Sequence, residues 1–222
     1  MEKIKRLMNL YLSPTETLSE VKEKSDWLFP GIVLLISAVI YAVLIIPITM
    51  PAQIEAYKNN PDLTVEQKNA LIEGAQGIFP YIGGAVGAIL MTVLILFIMA
   101  GFVILIRFIF GGNKVGFKHV FSAVAYISTI NLLSYIFGLI VTYATGDLIA
   151  DISINLLFPG LSSSYLGRVI GGISVFGVWQ AVLYSLLLIV FYNYSKVKAF
   201  SIMGVSYLIL LLITAISIFP AA

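Results

Sequence analysis

Five long apolar stretches constrain the fold of this 222-residue chain more than any other feature. They are residues 28–50, 78–106, 117–143, 168–194 and 199–219. Each contains about the twenty apolar residues needed to cross a hydrocarbon core of roughly 30 Å. Because a bilayer core offers no water to backbone groups, each stretch is expected to be a helix. The sequence therefore predicts an all-α fold, a polytopic transmembrane helical bundle of five spans.

The composition agrees with this fold and excludes several other classes. Hydrophobic residues make up 60% of the chain and charged residues 11%, against about 25% charged in soluble domains. The absence of Cys excludes disulfides and thiolate metal sites. The single histidine, His119, argues against a His-based metal site. A net charge of +2 is too small and too dispersed to indicate a nucleic-acid partner.

The basic residues fall mainly on one side of the predicted membrane. Ten of the 13 lie before the first stretch, in the second and fourth connections, or, as Lys118 does, at the very start of the third stretch. The other three are Lys58, Lys68 and Arg168. Cytoplasmic segments carry an excess of Lys and Arg, so we expect a cytoplasmic N-terminus and, after five spans, an outer C-terminus. A re-entrant fourth stretch would instead return the C-terminus to the cytoplasm.

Residues 1–26 are predicted to form a short cytoplasmic amphipathic segment ahead of a five-helix domain, 27–222. Ser13 is placed to cap a helix, with Pro14 at its first position and Glu16 completing a capping box. Leu18 and Val21 then share one face of that helix. Such a helix is expected to lie on the cytoplasmic membrane surface.

Three residues are predicted to anchor this segment at the membrane interface, namely Pro14, Trp27 and Pro30. Trp27 stands where an interfacial aromatic side chain is expected. Pro30 belongs to the first turn of the first span, where a proline is tolerated. Pro47, near the far end of that span, is expected to kink or end the helix.

Two longer connections, about 51–77 and 144–167, are predicted to be external. The first contains a capping box between Thr64 and Gln67, so a short helix to about Glu73 is expected. In the second, Asp147, Asp151 and Asn155 recur every four residues and would share one helix face. That face either meets water along an interfacial or re-entrant helix, or offers oxygen ligands to a hard cation.

Glycines in the second stretch and around the start of the fourth are predicted to be helix-packing positions. The four chosen are Gly83, Gly87, Gly167 and Gly171. Small residues at such spacing let another helix approach closely, which drives association in membranes.

Polar residues inside the third and fourth stretches offer a second hypothesis. Asn131, Ser134 and Gln180 could line a small pore or substrate pocket, or could form hydrogen bonds between helices. No charged residue lies in the middle of any stretch. This argues against a proton-coupled pump, which usually places ionisable side chains there.

Enzyme signatures are missing from the sequence. It contains no His-Glu-x-x-His, no Gly-x-Ser-x-Gly and no phosphate-binding glycine loop. We therefore expect neither enzymatic activity nor a cofactor.

Several segments together resemble the Yip family, five-span membrane proteins named for interaction with Rab-type GTPases. They are PTETL at 14–18, KSDWLFP at 24–30, GNKVGFKHVF at 112–121, Ala125-Tyr126, Trp179 and KVKA at 196–199. The resemblance implies a five-helix domain with the termini oriented as the charges predict. It implies no catalytic residues, and prokaryotic members suggest the cytoplasmic (inner) membrane.

The sequence departs from the family in two respects. Ala125 stands where members often have glycine, and only about 26 residues precede the first span, whereas eukaryotic relatives carry a long cytosolic region. GTPase binding is therefore left open.

The function expected is that of a non-enzymatic membrane adaptor or scaffold. Its expected partners are anionic lipids at the cytoplasmic face, a second copy, or another membrane protein. The alternatives are a small transporter or channel, and membrane shaping by the N-terminal amphipathic segment.

Overall fold

The computed structural model describes residues 2–146, 152–158, 160 and 164–216, and this part of the chain is almost entirely helical. Its helices are α1 (Glu2–Leu12), α2 (Pro14–Glu23), α3 (Leu28–Asn59), α4 (Val65–Gln76), α5 (Phe79–Phe110), α6 (Phe117–Ser128), α7 (Ile130–Thr145), α8 (Ile154–Leu157), α9 (Tyr165–Gly171), α10 (Val175–Tyr192) and α11 (Lys196–Ala215). A single antiparallel bridge joins Ser153 to Ser174 within these residues.

Five helical stretches in the described ranges are long and apolar enough to cross a membrane. They are Leu28–Asn59, Phe79–Phe110, Phe117–Thr145, Val175–Tyr192 and Lys196–Ala215. The predicted all-α bundle with five candidate spans is therefore confirmed.

Helix α6 lies at the centre of the bundle. It contacts α1, α2, α3, α5 and α10, and its residues 120–128 are all buried. Elsewhere, α3 packs along α5 and α7, and α10 packs along α11. Lipid is as apolar as these side chains, so close van der Waals packing and hydrogen bonds, more than water exclusion, hold such helices together.

The first span is longer than the sequence indicated, because α3 continues through Pro47 and Pro51 to Asn59. A proline has no N–H to donate within the helix, and carbonyl oxygens near Pro47 are contacted by side-chain hydroxyl groups. The Thr49 hydroxyl lies 3.3 Å from the carbonyl oxygens of both Ile45 and Ile46. The Tyr143 hydroxyl of α7 donates to the Leu44 carbonyl oxygen at 2.7 Å. Such bonds allow a proline to persist inside a membrane helix.

The connection predicted at 51–77 accordingly contains the end of α3 and all of α4. The capping box predicted there is confirmed. The Thr64 hydroxyl accepts from the Gln67 backbone N–H at 3.2 Å, and the Gln67 side chain accepts from the Thr64 N–H at 2.9 Å. The helix continues three residues past the predicted end, to Gln76.

The second and third spans depart from prediction in different ways. Helix α5 extends four residues beyond the predicted end, to Phe110, where Gly111 and Gly112 take positive φ angles of 75° and 111°. The third span is divided at Thr129, whose hydroxyl donates to the Tyr126 carbonyl oxygen at 2.6 Å.

The fourth span differs most, because the stretch predicted as one helix over 168–194 is broken at residues 172–174. Ser174 starts a new helix by accepting a hydrogen bond from the Gly177 N–H at 3.0 Å. The Val175 N–H donates to the Ile152 carbonyl oxygen at 3.0 Å. Helix α9 therefore ends before the span, and the predicted 144–167 connection gains the helices α8 and α9.

The fifth span begins three residues earlier than predicted. Ser195 caps α11, accepting from the Lys198 N–H at 3.3 Å. Residues 217–219 of the predicted span lie outside the described residues.

The N-terminal segment holds two helices, although only one was predicted. The expected capping box at Ser13 is not formed, since its side chain makes no cap hydrogen bond. Leu18 and Val21 of α2 are fully buried, and α2 packs against α6 and α10. The apolar face expected to lie on lipid is thus covered by the protein itself.

Candidate functional site

The two N-terminal helices are held together and to the bundle by polar contacts. The Arg6 Nε atom donates to the Glu20 carboxylate at 3.0 Å, and Lys3 pairs with Asp26 at 3.2 Å. Burial by itself would lower the pKa of Arg6, but the hydrogen bond with Glu20 raises it, and the net direction is upward. The guanidinium therefore stays charged and joins α1 to α2.

Tyr11 connects α1 to the junction of α6 and α7. Its hydroxyl lies 3.0 Å from the Thr129 hydroxyl. Burial raises the pKa of Tyr11 and the Thr129 contact only partly opposes this, so the phenol remains protonated at neutral pH. Sequence reasoning missed α1, although Leu7, Leu10 and Tyr11 have the spacing of a buried helix face.

The predicted anchoring residues occupy the end of the bundle where these helices meet α3. Pro14 opens α2, as predicted. Trp27 precedes α3, is 42% exposed, and forms a T-shaped ring pair with Phe121, with centroids 5.8 Å apart. Pro30 is buried in the first turn of α3. Trp27 is thus the most exposed of the three.

Two of the ten basic residues assigned to the cytoplasmic side have protein partners at helix ends. Lys22 donates to the Val190 carbonyl oxygen of α10 at 2.6 Å. Lys198 donates to the Phe110 carbonyl oxygen of α5 at 2.8 Å. Cations at helix C-termini stabilise the orphan carbonyls and the negative end of the dipole.

A tight seam joins the end of α5 to the corner between α10 and α11. The Tyr194 hydroxyl donates to the Gly111 carbonyl oxygen at 2.6 Å, and the Lys198 ammonium lies 4.0 Å from the Tyr194 ring centroid. Burial raises the pKa of Tyr194, and the charge of Arg107 opposes it only in part. A Cβ at Gly112 would lie 2.8 Å from the Tyr192 carbonyl oxygen, so glycine is required there.

The predicted packing glycines of α5 face away from the bundle. Among the described residues, a Cβ built at Gly83 or Gly87 has no atom within 4 Å, whereas one at Gly84 lies 3.1 Å from Ile46 Cδ1 of α3. Gly84 is thus the position of close approach inside the chain. Gly83 and Gly87 lie one turn apart on an open outer face of α5, which we call the α5 outer face.

The predicted packing glycines of α9 contact their own chain. The Gly167 N–H donates to the Ser164 hydroxyl at 3.0 Å, which caps α9. A Cβ at Gly171 would lie 3.1 Å from the Asn155 Cβ of α8. Both glycines are buried, so within this chain they serve the junction of α8 and α9.

The closest helix approach in this region is at Gly177, which was not among the chosen positions. A Cβ there would lie 2.7 Å from the Tyr207 hydroxyl of α11 and 2.8 Å from Ser174 Oγ. In the sequence, only the position of Gly177 within the glycine-rich fourth stretch could have indicated this close approach.

Of the three polar residues proposed as a lining, only Gln180 lines the groove described here. Gln180 lines a groove of about 510 Å³ between α5, α10 and α11, the α5–α10–α11 groove. Asn131 and Ser134 belong to α7, and neither lines that groove. This groove is therefore not the three-residue lining that the transporter hypothesis requires.

Of the three residues considered as cation ligands, the structure describes only Asn155. Asp147 and Asp151 lie outside the described residues. Asn155 belongs to α8, and its Oδ1 atom is buried without a hydrogen-bond partner among the described residues. Among the described residues, no group of three or more His, Cys, Asp or Glu side chains is placed to hold a metal ion.

Comparison with known families gives a match over most of the chain. Residues 8–218 match the model of the family described as Yip1 domain. The chain belongs to the Yip1 domain family. No curated protein and no solved structure matches it significantly. For this Yip1 domain, the family and the apolar helices together establish a multi-pass membrane protein.

Proposed function

We propose that this Yip1 domain protein is a non-enzymatic membrane adaptor or scaffold whose α5 outer face receives a helix of another membrane protein or of a second copy. The observation that carries the proposal is the open space at Gly83 and Gly87, where a built Cβ has no neighbour within 4 Å. Two glycines one turn apart allow backbones to approach closely, which favours helix association in lipid.

Exposure along α5 supports the same assignment. Val86 and Leu90, beside the two glycines, are 50% and 64% exposed. Only 22% of the most apolar part of this span is buried within the chain. Most of the helix therefore remains free for lipid or for a partner.

The wider proposal places the protein in the cytoplasmic (inner) membrane, with the N-terminus in the cytoplasm and the C-terminus outside. The sorting of basic residues supports it. Lysines that form no helix-end contact, among them Lys5 and Lys118, are exposed and suited to anionic headgroups. Whether a GTPase also binds is a separate question on which this proposal does not depend.

The proposal is tested by filling the outer face. The double variant Gly83→Leu, Gly87→Leu has room in the monomer, so its thermal unfolding should match the wild type. Partner recovery after crosslinking in native membranes, followed by mass spectrometry, should fall about tenfold, which corresponds to about 1.4 kcal/mol.

The matched control is Gly204→Leu on α11, where a Cβ also has no neighbour within 4 Å. It should leave partner recovery unchanged. If the double variant recovers the same partners in the same amounts as the control, the α5 outer face is not the docking surface.

A further inference from the structure

Helices α1 and α2 run antiparallel and form a unit that we call the N-terminal hairpin. Two ion pairs show their relative direction, Arg6 with Glu20 at 3.0 Å and Lys3 with Asp26 at 3.2 Å. Only Ser13 separates the two helices, so the turn between them is tight. The ion pairs lie away from this turn, towards the open end of the hairpin.

The charged residues of this segment are concentrated at the open end. Nine of them fall in residues 2–6 and 20–26, whereas residues 7–19, which include the turn, contain only Glu16. Glu16 belongs to the first turn of α2, where the helix dipole favours a carboxylate. Because charged side chains are costly inside a bilayer, this distribution suits a hairpin that enters the membrane with its turn first.

The open end is level with the start of the first span. Asp26, the partner of Lys3, lies two residues before α3 begins. The next residue, Trp27, forms a ring pair with Phe121 of α6 at a centroid distance of 5.8 Å. The open end therefore lies beside the first turns of both α3 and α6.

The turn of the hairpin lies further along the third span. The Tyr11 hydroxyl, close to the turn, lies 3.0 Å from the Thr129 hydroxyl at the junction of α6 and α7. Thr129 is eight residues past Phe121, which is about 12 Å along the span. Lys3 and Tyr11 are also eight residues apart, about 12 Å along α1. Helix α1 therefore runs beside the third span, from the start of that span towards the middle of the bilayer.

The second helix of the hairpin agrees with this depth. Lys22 donates to the Val190 carbonyl oxygen at 2.6 Å, two residues before α10 ends. The 18 residues of α10 are about 27 Å long, so nearly all of them are needed to cross a hydrocarbon core of about 30 Å. The end of α10 therefore marks the membrane surface, and the part of α2 before Lys22 packs along α10 below that surface.

One apolar face of α1 is not covered by the protein. Ile4, Met8 and Leu12 are 59%, 55% and 79% exposed. At 3.6 residues per turn they lie within an arc of about 80°, which we call the α1 outer stripe. Leu7 and Leu10 of the same helix are buried against the bundle. Helix α1 thus has apolar side chains on two faces, whereas a surface helix in water has one apolar face towards the core.

The size of the α1 outer stripe favours lipid over a protein partner. The stripe consists of three side chains over about 12 Å. A stable protein interface uses about 20–30 residues from each partner. Acyl chains require no such area, because they surround any apolar side chain that is exposed at their depth. The position of the stripe beside the third span therefore identifies its occupant as lipid.

We propose that the N-terminal hairpin is inserted, turn first, into the membrane leaflet on the side of the N-terminus, where acyl chains cover Ile4, Met8 and Leu12. Insertion by about 12 Å keeps the turn within one leaflet, whose hydrocarbon layer is about 15 Å thick. The proposal is independent of the docking role of the α5 outer face, and it holds for either orientation of the chain in the membrane.

The test uses the full chain, which has no native cysteine, in vesicles of phosphatidylcholine and phosphatidylglycerol. A nitroxide is attached in turn to Ile4→Cys, Met8→Cys and Leu12→Cys, whose side chains are all exposed. Collisions of the nitroxide with oxygen and with a water-soluble nickel complex give its depth in the bilayer. Insertion predicts that the depth increases along the stripe, by about 12 Å from position 4 to position 12.

Two reference positions calibrate the depth. Ile36→Cys, on an exposed position of α3 eight residues after Leu28, should lie as deep as position 12. Lys24→Cys, exposed at the open end, should collide with the nickel complex. The proposal is overturned if position 12 meets the nickel complex as position 24 does, which would place the hairpin in water. Equal depths at positions 4 and 12 would also overturn it, as would a stripe shielded from both reagents by a second copy.

A second measurement needs no label. Leu12→Lys places a charge near the turn, whereas Ile4→Lys places one near the headgroups, where a lysine can extend to water. In vesicles, Leu12→Lys should therefore lower the unfolding temperature, and Ile4→Lys should leave it unchanged. Both side chains are exposed, so neither substitution removes packing within the chain. Equal unfolding temperatures for the two variants would show that the turn is not in the hydrocarbon layer.

Discussion

A methyl group added at Gly177 would meet two oxygen atoms, Tyr207 Oη at 2.7 Å and Ser174 Oγ at 2.8 Å. Both oxygens are engaged at the start of α10. Ser174 Oγ accepts from the Gly177 N–H, and Tyr207 Oη accepts from the Ser174 N–H. An added Cβ must therefore displace contacts that define where the fourth span begins.

Gly177→Ala should consequently lower stability by about 1–3 kcal/mol, the usual cost of overpacking. Thermal unfolding in detergent micelles, compared with Gly204→Ala, measures the effect. Gly204 has no neighbour within 4 Å, so its alanine variant should be as stable as the wild type or slightly more so. Equal unfolding temperatures for the two variants would contradict the assigned contact.

For single residues, the sequence predicted that glycines are packing positions in α5. It did not predict which of these glycines faces the rest of the bundle. Gly83 and Gly84 are adjacent, yet about 100° apart around α5. Only the rotation of α5 about its axis decides which of them meets Ile46 of α3. That rotation follows from packing across the whole bundle, so no local pattern could supply it.

Individual helices show which local signals were sufficient. The capping box of Thr64 and Gln67 lies within four residues and was predicted correctly. The continuation of α3 past Pro47 could not be predicted, because Tyr143, which bonds the Leu44 carbonyl oxygen, is distant in sequence. The break before α10 depends in the same way on Ile152, which accepts from the Val175 N–H.

Thr64→Ala should weaken α4 by about 1 kcal/mol, the typical value of an N-cap. Helix α4 has no buried residue, so the loss should stay local. Hydrogen exchange of the amides at 65–68 should accelerate about fivefold, while the thermal unfolding of the whole protein is unchanged. A fall in the global unfolding temperature would show that α4 supports the bundle more than its exposure indicates.

The pairing of α1 with α2 gives a salt-sensitive prediction. A double-mutant cycle with Arg6→Gln and Glu20→Gln should yield a coupling of up to about 1 kcal/mol, since Glu20 is 53% exposed and solvent screens the pair. Denaturant unfolding at low and high salt measures it, and the coupling should decrease at high salt. A coupling that is absent at low salt would remove this ion pair from the account of the N-terminal helices.

For the whole molecule, hydropathy was enough to predict five spans and an all-α bundle. The bilayer thickness sets the length of each span, and the lack of water in the hydrocarbon core requires backbone hydrogen bonds within each span. Hydropathy could not reveal that α1 and α2 belong to the bundle. Their charges suggested a surface segment, whereas Leu10, Leu18 and Val21 are fully buried. Charged residues are interspersed with the apolar residues of α1 and α2 in the sequence. The buried residues pack against α6 and α10, which are distant in sequence, so no local pattern indicated this packing.

Orientation is a prediction of the whole molecule. Because the chain has no cysteine, single cysteines can be introduced without a background. Lys5→Cys and Lys196→Cys should react with an impermeant maleimide only after cells are opened, whereas Lys68→Cys should react in intact cells. The reverse pattern would invert the topology and the assignment of basic loops to the cytoplasm.

The central claim is that the α5 outer face binds another membrane protein or a second copy. The most direct measurement places a photoreactive amino acid at position 87 or position 204 and illuminates native membranes. Both positions have space for a larger side chain. The account predicts a discrete adduct with a membrane protein, a second copy included, from position 87 and none from position 204. No adduct from position 87, or the same adducts from both positions, would contradict it.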